Sequence, residues 1–68
     1  MKIQLKKISE EKYEITITDN VGNVVFNDQR YYNYMGEQMI TSQGVLEDVG
    51  HLSTLFGEFT EIENDFEL

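Results

Sequence analysis

The sequence has 68 residues and no cysteine, so neither a disulfide nor a thiolate metal site can hold so short a chain together. Alanine, proline and tryptophan are missing too, and nothing repeats at a fixed period or falls into low complexity. No apolar run approaches the roughly 20 residues that a membrane-spanning helix needs. The Met1-Lys2 start leads into no apolar signal core. These absences lead us to expect a soluble, cytoplasmic chain with no membrane partner. A domain this short buries only about 60% of the surface its unfolded chain exposes. We therefore read residues 1–68 as a single small domain, with little room for an enclosed pocket or a small-molecule substrate, and with a frayed acidic end at 64–68.

Missing chemistry narrows the function further. There is one histidine, His51, and its nearest hydroxyl in sequence, Ser53, would point to a different side of a helix. Glu47 precedes His51 by one turn and fits a simple charge pair, whereas two ligands rarely hold zinc. The run Asp19-Asn20-Val21-Gly22-Asn23 resembles a calcium loop at a glance. Counting from Asp19, however, the third position is Val21 and the twelfth is Arg30, where the loop needs oxygen ligands. The glycines stand singly and no lysine follows any of them as a phosphate loop requires. We expect no enzyme and no cofactor or metal.

What the chain does contain is periodicity. Tyr13, Ile15 and Ile17 alternate with Glu14, Thr16 and Thr18, the pattern of a half-buried strand. Ile3 and Leu5 alternate with Lys2, Gln4 and Lys6, and a turn at Ser9-Glu10-Glu11 would set Leu5 opposite Ile15, Ile3 opposite Ile17 and Lys6 opposite Glu14. Asp19 to Gly22 fits a four-residue hairpin loop whose last position takes positive φ. That loop would bring Val24 opposite Ile17 and Phe26 opposite Ile15. Asn27-Asp28-Gln29 then reads as a second turn, and Arg30 to Met35 as a fourth strand.

From Val45 the period changes: Val45, Val49, Leu52, Phe56 and Phe59 follow at helical spacing, with Leu46 and Leu55 flanking the stripe. Thr41 or Ser42 would cap the start, Glu47 and Asp48 would lie near the positive end of the dipole, and Gly57 would end the helix. Beyond Gly57 either the helical stripe continues or Glu58 to Glu63 returns as an edge strand. The expected fold class is α+β: an antiparallel three- or four-stranded sheet within residues 2–35, followed by one main helix within 42–57 packed on one face. Its expected core is Ile3, Leu5, Ile15, Ile17, Val24, Phe26, Val49, Leu52 and Phe56.

Charge is the other informative feature. Five Lys and Arg face 13 Asp and Glu, for a net charge of −8. Four lysines fall in residues 1–12, whereas residues 31–68 hold eight acids and no Lys or Arg. Such a field repels nucleic acid, whose binding depends on basic residues, and attracts basic surfaces. Within this acidic half, mutual repulsion is expected to raise carboxyl pKa values. Tyr31, Tyr32 and Tyr34 add aromatic contact area of the kind enriched at interfaces. The partner-binding residues we expect are Glu47, Asp48, Glu58, Glu61 and Glu63, lying along one side, with Tyr31, Tyr32 or Tyr34 nearby.

In size, acidity and strands-then-helix layout the chain resembles the small acidic phage-encoded inhibitors, anti-CRISPR proteins among them. No motif carries that resemblance. It implies a binding protein that inhibits a basic, nucleic-acid-binding partner, such as a CRISPR effector, by presenting carboxylates as a mimic of DNA phosphates, in the host cytoplasm if phage-encoded. The other reading of the same residues is a structural or assembly module that docks on a larger protein through its tyrosines and helix face.

Overall fold

The computed structural model describes residues 1–31 and 42–65. They form β1 (Lys2–Lys7), β2 (Lys12–Thr18), β3 (Val24–Tyr31), α1 (Ser42–Phe56) and β4 (Glu61–Asn64). The strands make one four-stranded sheet in the order β3-β2-β1-β4, with β1/β2 and β2/β3 antiparallel and β1/β4 parallel. The fold is therefore α+β, mostly antiparallel, with the helix following the first three strands and packing on one face.

The β1/β2 register follows the alternation of apolar residues: Ile3 lies opposite Ile17, Leu5 opposite Ile15 and Lys6 opposite Glu14. Shifting one strand by one residue would turn its own buried pair, Ile3 and Leu5 on β1 or Ile15 and Ile17 on β2, to solvent, so burial fixes the pairing. The turn is closed by the Ile8 and Ser9 amides donating to the Lys12 carbonyl, and the Glu11 amide donates to Ser9 Oγ.

The second hairpin departs from the expected register. Asp19 and Asn23 close it through the Asp19 amide and the Asn23 carbonyl at 2.9 Å, leaving a three-residue loop, Asn20-Val21-Gly22. Gly22 takes φ 92°, as the last position of such a loop requires. Asp19 Oδ1 also accepts from the amides of Val21 and Asn23. These bonds, that of the Asn23 amide foremost, hold the Asp19 carboxyl below its ordinary pKa. A bulge between Ile17 and Thr18 then displaces the strand further, so that Val24 faces Thr18, Phe26 faces Ile17 and Asp28 faces Ile15. Val24, expected in the core, is 60% exposed as a result. Asn27-Asp28-Gln29 is strand rather than turn: Asn27 Nδ2 donates to the Ile15 carbonyl and Thr16 Oγ1, while Asp28 takes up Arg30. Arg30 and Tyr31 thus end β3. The remainder of the expected fourth strand, residues 32–35, lies outside the described residues.

The fourth strand comes instead from the far end of the chain. α1 stops at Gly57, whose φ is 95° and whose amide donates to the Ser53 carbonyl at 2.9 Å. The Thr60 amide and hydroxyl both reach the Met1 carbonyl, and β4 runs beside β1 from there. Order continues to Asp65, whose amide donates to the Leu5 carbonyl and whose Oδ2 accepts from the Lys7 amide. The end expected to fray from residue 64 is therefore paired through 65, and residues 66–68 lie outside the described residues.

The buried core is Ile3, Leu5, Tyr13, Ile15, Ile17, Val45 and Leu52, with Met1, Phe26, Val49, Phe56 and Phe59 half-buried against it. Phe26 and Phe56 meet as a tilted ring pair with centroids 5.5 Å apart. Two glycines fall in the helix interior. At Gly50 an added Cβ would meet nothing within 4 Å. Gly50→Ala is thus expected to stabilise the protein by about 0.5–1 kcal/mol through helix propensity and lower unfolded-state entropy. A chemical melt in which the variant unfolds at or below the parent midpoint would refute this.

Candidate functional site

The acids of the second half divide between the two sides of the sheet. On β4, Glu61 lies opposite Lys2 and Glu63 opposite Gln4, on the outer face away from the helix. Lys2 Nζ sits 2.8 Å from Glu63 and 3.8 Å from Glu61, and Gln4 Nε2 donates to Glu63 at 2.7 Å. The basic amino terminus thereby folds onto the acidic carboxyl terminus and neutralises part of it. That bond from Lys2, followed by the one from Gln4, holds the Glu63 carboxyl below its ordinary pKa. The sequence reading expected elevation, because it counted charge along the chain and not across the sheet. Lys2 is correspondingly raised, chiefly by its bond to Glu63.

This clasp has a defined pH window. A lowered Glu63 adds stability that is present above the unfolded value, roughly pH 4.3, and is lost as pH falls through the folded value. A raised Lys2 adds stability that is complete below the unfolded value, roughly pH 10.4, and is lost as pH rises through the folded one. β4 should therefore stay docked at neutral pH and loosen in acid. Amide exchange at Thr60 and Asp65, corrected for intrinsic rates, is expected to accelerate in the parent as pH falls through the folded Glu63 value, and Glu63→Gln should weaken that acid dependence. A parent profile as flat as that of Glu63→Gln would show that the clasp contributes nothing.

On the helix side, Asp48 is mostly shielded and accepts from the Tyr13 hydroxyl and from Arg30 Nε at 3.2 Å. Arg30 also bonds Asp28 and lies over the Phe26 ring, 5.9 Å from its centroid. Asp48 therefore ties α1 to β2 and β3. Neither Glu47 nor Asp48 occupies the first helical turn, which holds no acid, because α1 already begins at Ser42. Thr41, the other expected cap, lies outside the described residues. Asp48→Ala would leave Tyr13, a fully buried residue, without this acceptor. The expected cost is about 1–3 kcal/mol in a urea melt, whereas Glu47→Ala, on the exposed side of the same turn, should change stability by less than about 0.5 kcal/mol.

Glu47 is exposed and accepts from Gln43 Nε2 at 3.5 Å. With Arg30, Tyr31, Gly44, Asp48 and His51 it lines an open cleft of about 300 Å³. Glu58, also exposed, borders a groove between α1 and β4. Among the described residues, no Lys or Arg lies within 4 Å of either carboxylate. Tyr31 is 66% exposed at the end of β3, with Lys12 Nζ 5.1 Å from its ring centroid. Tyr32 and Tyr34 lie outside the described residues. Of the expected binding residues, then, Glu47, Asp48 and Tyr31 share one cleft, Glu58 borders another groove on the helix side, and Glu61 and Glu63 face the opposite way.

Sequence reasoning missed Arg30 and Tyr13 as the partners of Asp48. The available signal was the shared core-facing parity of Tyr13 with Ile15 and Ile17. Among the described residues no group of three or more His, Asp or Glu is placed to hold a metal ion, and no helix is long and apolar enough to cross a membrane. No protein family matches the chain, and neither the curated proteins nor the solved structures include a match to it.

Proposed function

We propose that this chain is a small acidic binding protein, anti-CRISPR-like in action, that inhibits a basic, nucleic-acid-binding partner by presenting carboxylates in place of DNA phosphates. The observation carrying the reading is the charge layout: eight acids and no Lys or Arg in residues 31–68. Competition for a basic groove requires no catalytic group, and in this reading the chain works in the cytoplasm that holds its partner. Lys2 partly neutralises Glu61 and Glu63 and Arg30 pairs with Asp48, so of the expected binding carboxylates Glu47 and Glu58 are the two that, among the described residues, have no Lys or Arg within 4 Å. Desolvated charge pairs with a partner's Lys or Arg would supply both a fast approach and specificity.

The test is displacement. A partner captured from the native host and identified by mass is loaded with labelled DNA or RNA and challenged with the purified chain at low and at high salt. Displacement that fades steeply with ionic strength is the expected result. A partner that binds the chain equally at both salts while retaining its nucleic acid would overturn the reading. That outcome belongs to a docking module, which one observation favours: Leu46, Leu55 and Ile62 are all at least half exposed on the helix side.

A further inference from the structure

The groove between α1 and β4 has a volume of about 360 Å³. Leu46, Gly50 and Ser53, spaced four and three apart on one face of α1, form one wall, and Phe59 and Ile62 form the other. Leu46 is 53% exposed and Ile62 50%, so apolar side chains stand half in water on both sides. At its rim Glu58 is exposed, and among the described residues no Lys or Arg lies within 4 Å of its carboxylate. Gly50 is the member that the fold does not explain. Its φ is not positive, and among the described residues an added Cβ would meet nothing within 4 Å. Glycine is nonetheless among the poorest residues for a helix interior. The fold thus gives up stability at Gly50 with no backbone or packing reason. What the missing side chain does provide is depth in the groove, between Leu46 and Ser53.

We infer that this groove is the seat of an amphipathic helix from a basic partner protein. Apolar side chains on successive turns of that helix enter beside Leu46, Gly50 and Ile62, and a flanking Lys or Arg meets Glu58. From Leu46 to Ser53 the wall runs about 10 Å at 1.5 Å per residue, the span of anchors at i and i+7 on a second helix. Gly50 lets that helix come close. Charge sets the sign of the partner: a second copy of this chain would bring another net −8 toward Glu58, whereas a basic helix is attracted. An open groove near the low end of ligand-pocket volumes would also enclose a small molecule poorly. The inference goes beyond phosphate mimicry, which needs carboxylates alone and no apolar seat.

The probe is the heptad Leu-Lys-Lys-Leu-Leu-Lys-Leu written twice, which sets its leucines on one helical face, titrated into the isotope-labelled chain. One control, Leu-Lys-Leu-Lys-Leu-Lys-Leu written twice, has the same composition at strand period. The other is the first peptide with Glu for every Lys. The first peptide should shift the amides of Leu46, Gly50, Ser53 and Ile62, and each control should bind at least about tenfold more weakly. Gly50→Leu should unfold at a higher urea midpoint than the parent, because leucine is the better helix former. It should nevertheless bind the first peptide about tenfold more weakly, because its side chain fills the groove. Should Gly50→Leu prove less stable than the parent, Leu46→Ser decides the matter, since Leu46 is half exposed and its loss should still weaken binding several-fold. Glu58→Gln should weaken binding several-fold at low salt and less at high salt. No nucleic acid enters this test, so its failure would leave phosphate mimicry standing. A control that binds as tightly as the first peptide, a stable Gly50→Leu that binds like the parent, or shifts centred on Glu47 and His51 would each overturn the proposal. So would Leu46 and Ile62 shifts that grow with the concentration of the chain alone, which would mark a second copy as the occupant, or no binding at millimolar peptide.

Discussion

Ile15→Ala is expected to lower the unfolding free energy by about 2–5 kcal/mol. Ile15 is fully buried on β2, with β1 and β3 on either side and Leu5 directly across. Removing its side chain beyond Cβ leaves a cavity beneath α1, which buries Val45 and Leu52 in the same core. A chain of this length has roughly 3–10 kcal/mol of stability to lose at typical per-residue values, and the substitution will bring the melt close to the native baseline. The paired control is Val24→Ala, which touches a residue 60% exposed on β3 and should cost less than about 0.5 kcal/mol. The sequence pattern ranks both Val24 and Ile15 as core, so a urea midpoint that falls equally for the two variants would mean that β2 is not the center of the sheet.

Legibility in the sequence tracked how local the deciding interaction was. β1 and β2 were readable to the residue because two alternating runs, joined by a short turn, can bury Ile3, Leu5, Ile15 and Ile17 together in one register only. α1 and its stop were readable for a similar reason, since a helical stripe and a positive-φ glycine are both local signals. The second hairpin misled by the width of one loop residue and one bulge: Asp19 captures Asn23 with backbone and side-chain bonds, and the strand beyond it slides accordingly. β4 carried little signal, because Glu61-Ile62-Glu63-Asn64 has one apolar residue and its place is set by Lys2, Gln4 and Ile3, more than fifty residues earlier. The same distance explains the acids. Read along the chain they look uniformly uncompensated; across the sheet, Lys2 and Arg30 reach three of them.

That redistribution decides which acids can test the proposed function. Asp48 cannot, because reversing it would unseat Tyr13 and Arg30 and confuse folding with binding. Glu61 and Glu63 cannot alone, because reversing them would open the β1/β4 clasp. Glu47 and Glu58 remain: both are exposed and, among the described residues, lie more than 4 Å from any Lys or Arg. Glu47→Lys combined with Glu58→Lys should therefore leave the melting curve within about 0.5 kcal/mol of the parent. Each close charge pair across a desolvated interface has a coupling on the order of 1.5–7 kcal/mol. Losing two such pairs at the lower end is about 3 kcal/mol, or more than roughly 100-fold in affinity at 1.4 kcal/mol per decade. A micromolar complex would then cease to displace labelled nucleic acid at any practical concentration. Lys6→Gln with Lys7→Gln, which removes cations and no acid, should displace at least as well as the parent, because those lysines would repel a basic groove. Should the double reversal and the parent displace nucleic acid equally, the carboxylates are not standing in for phosphates, and the exposed apolar rim of Leu46, Leu55 and Ile62 becomes the surface to mutate next.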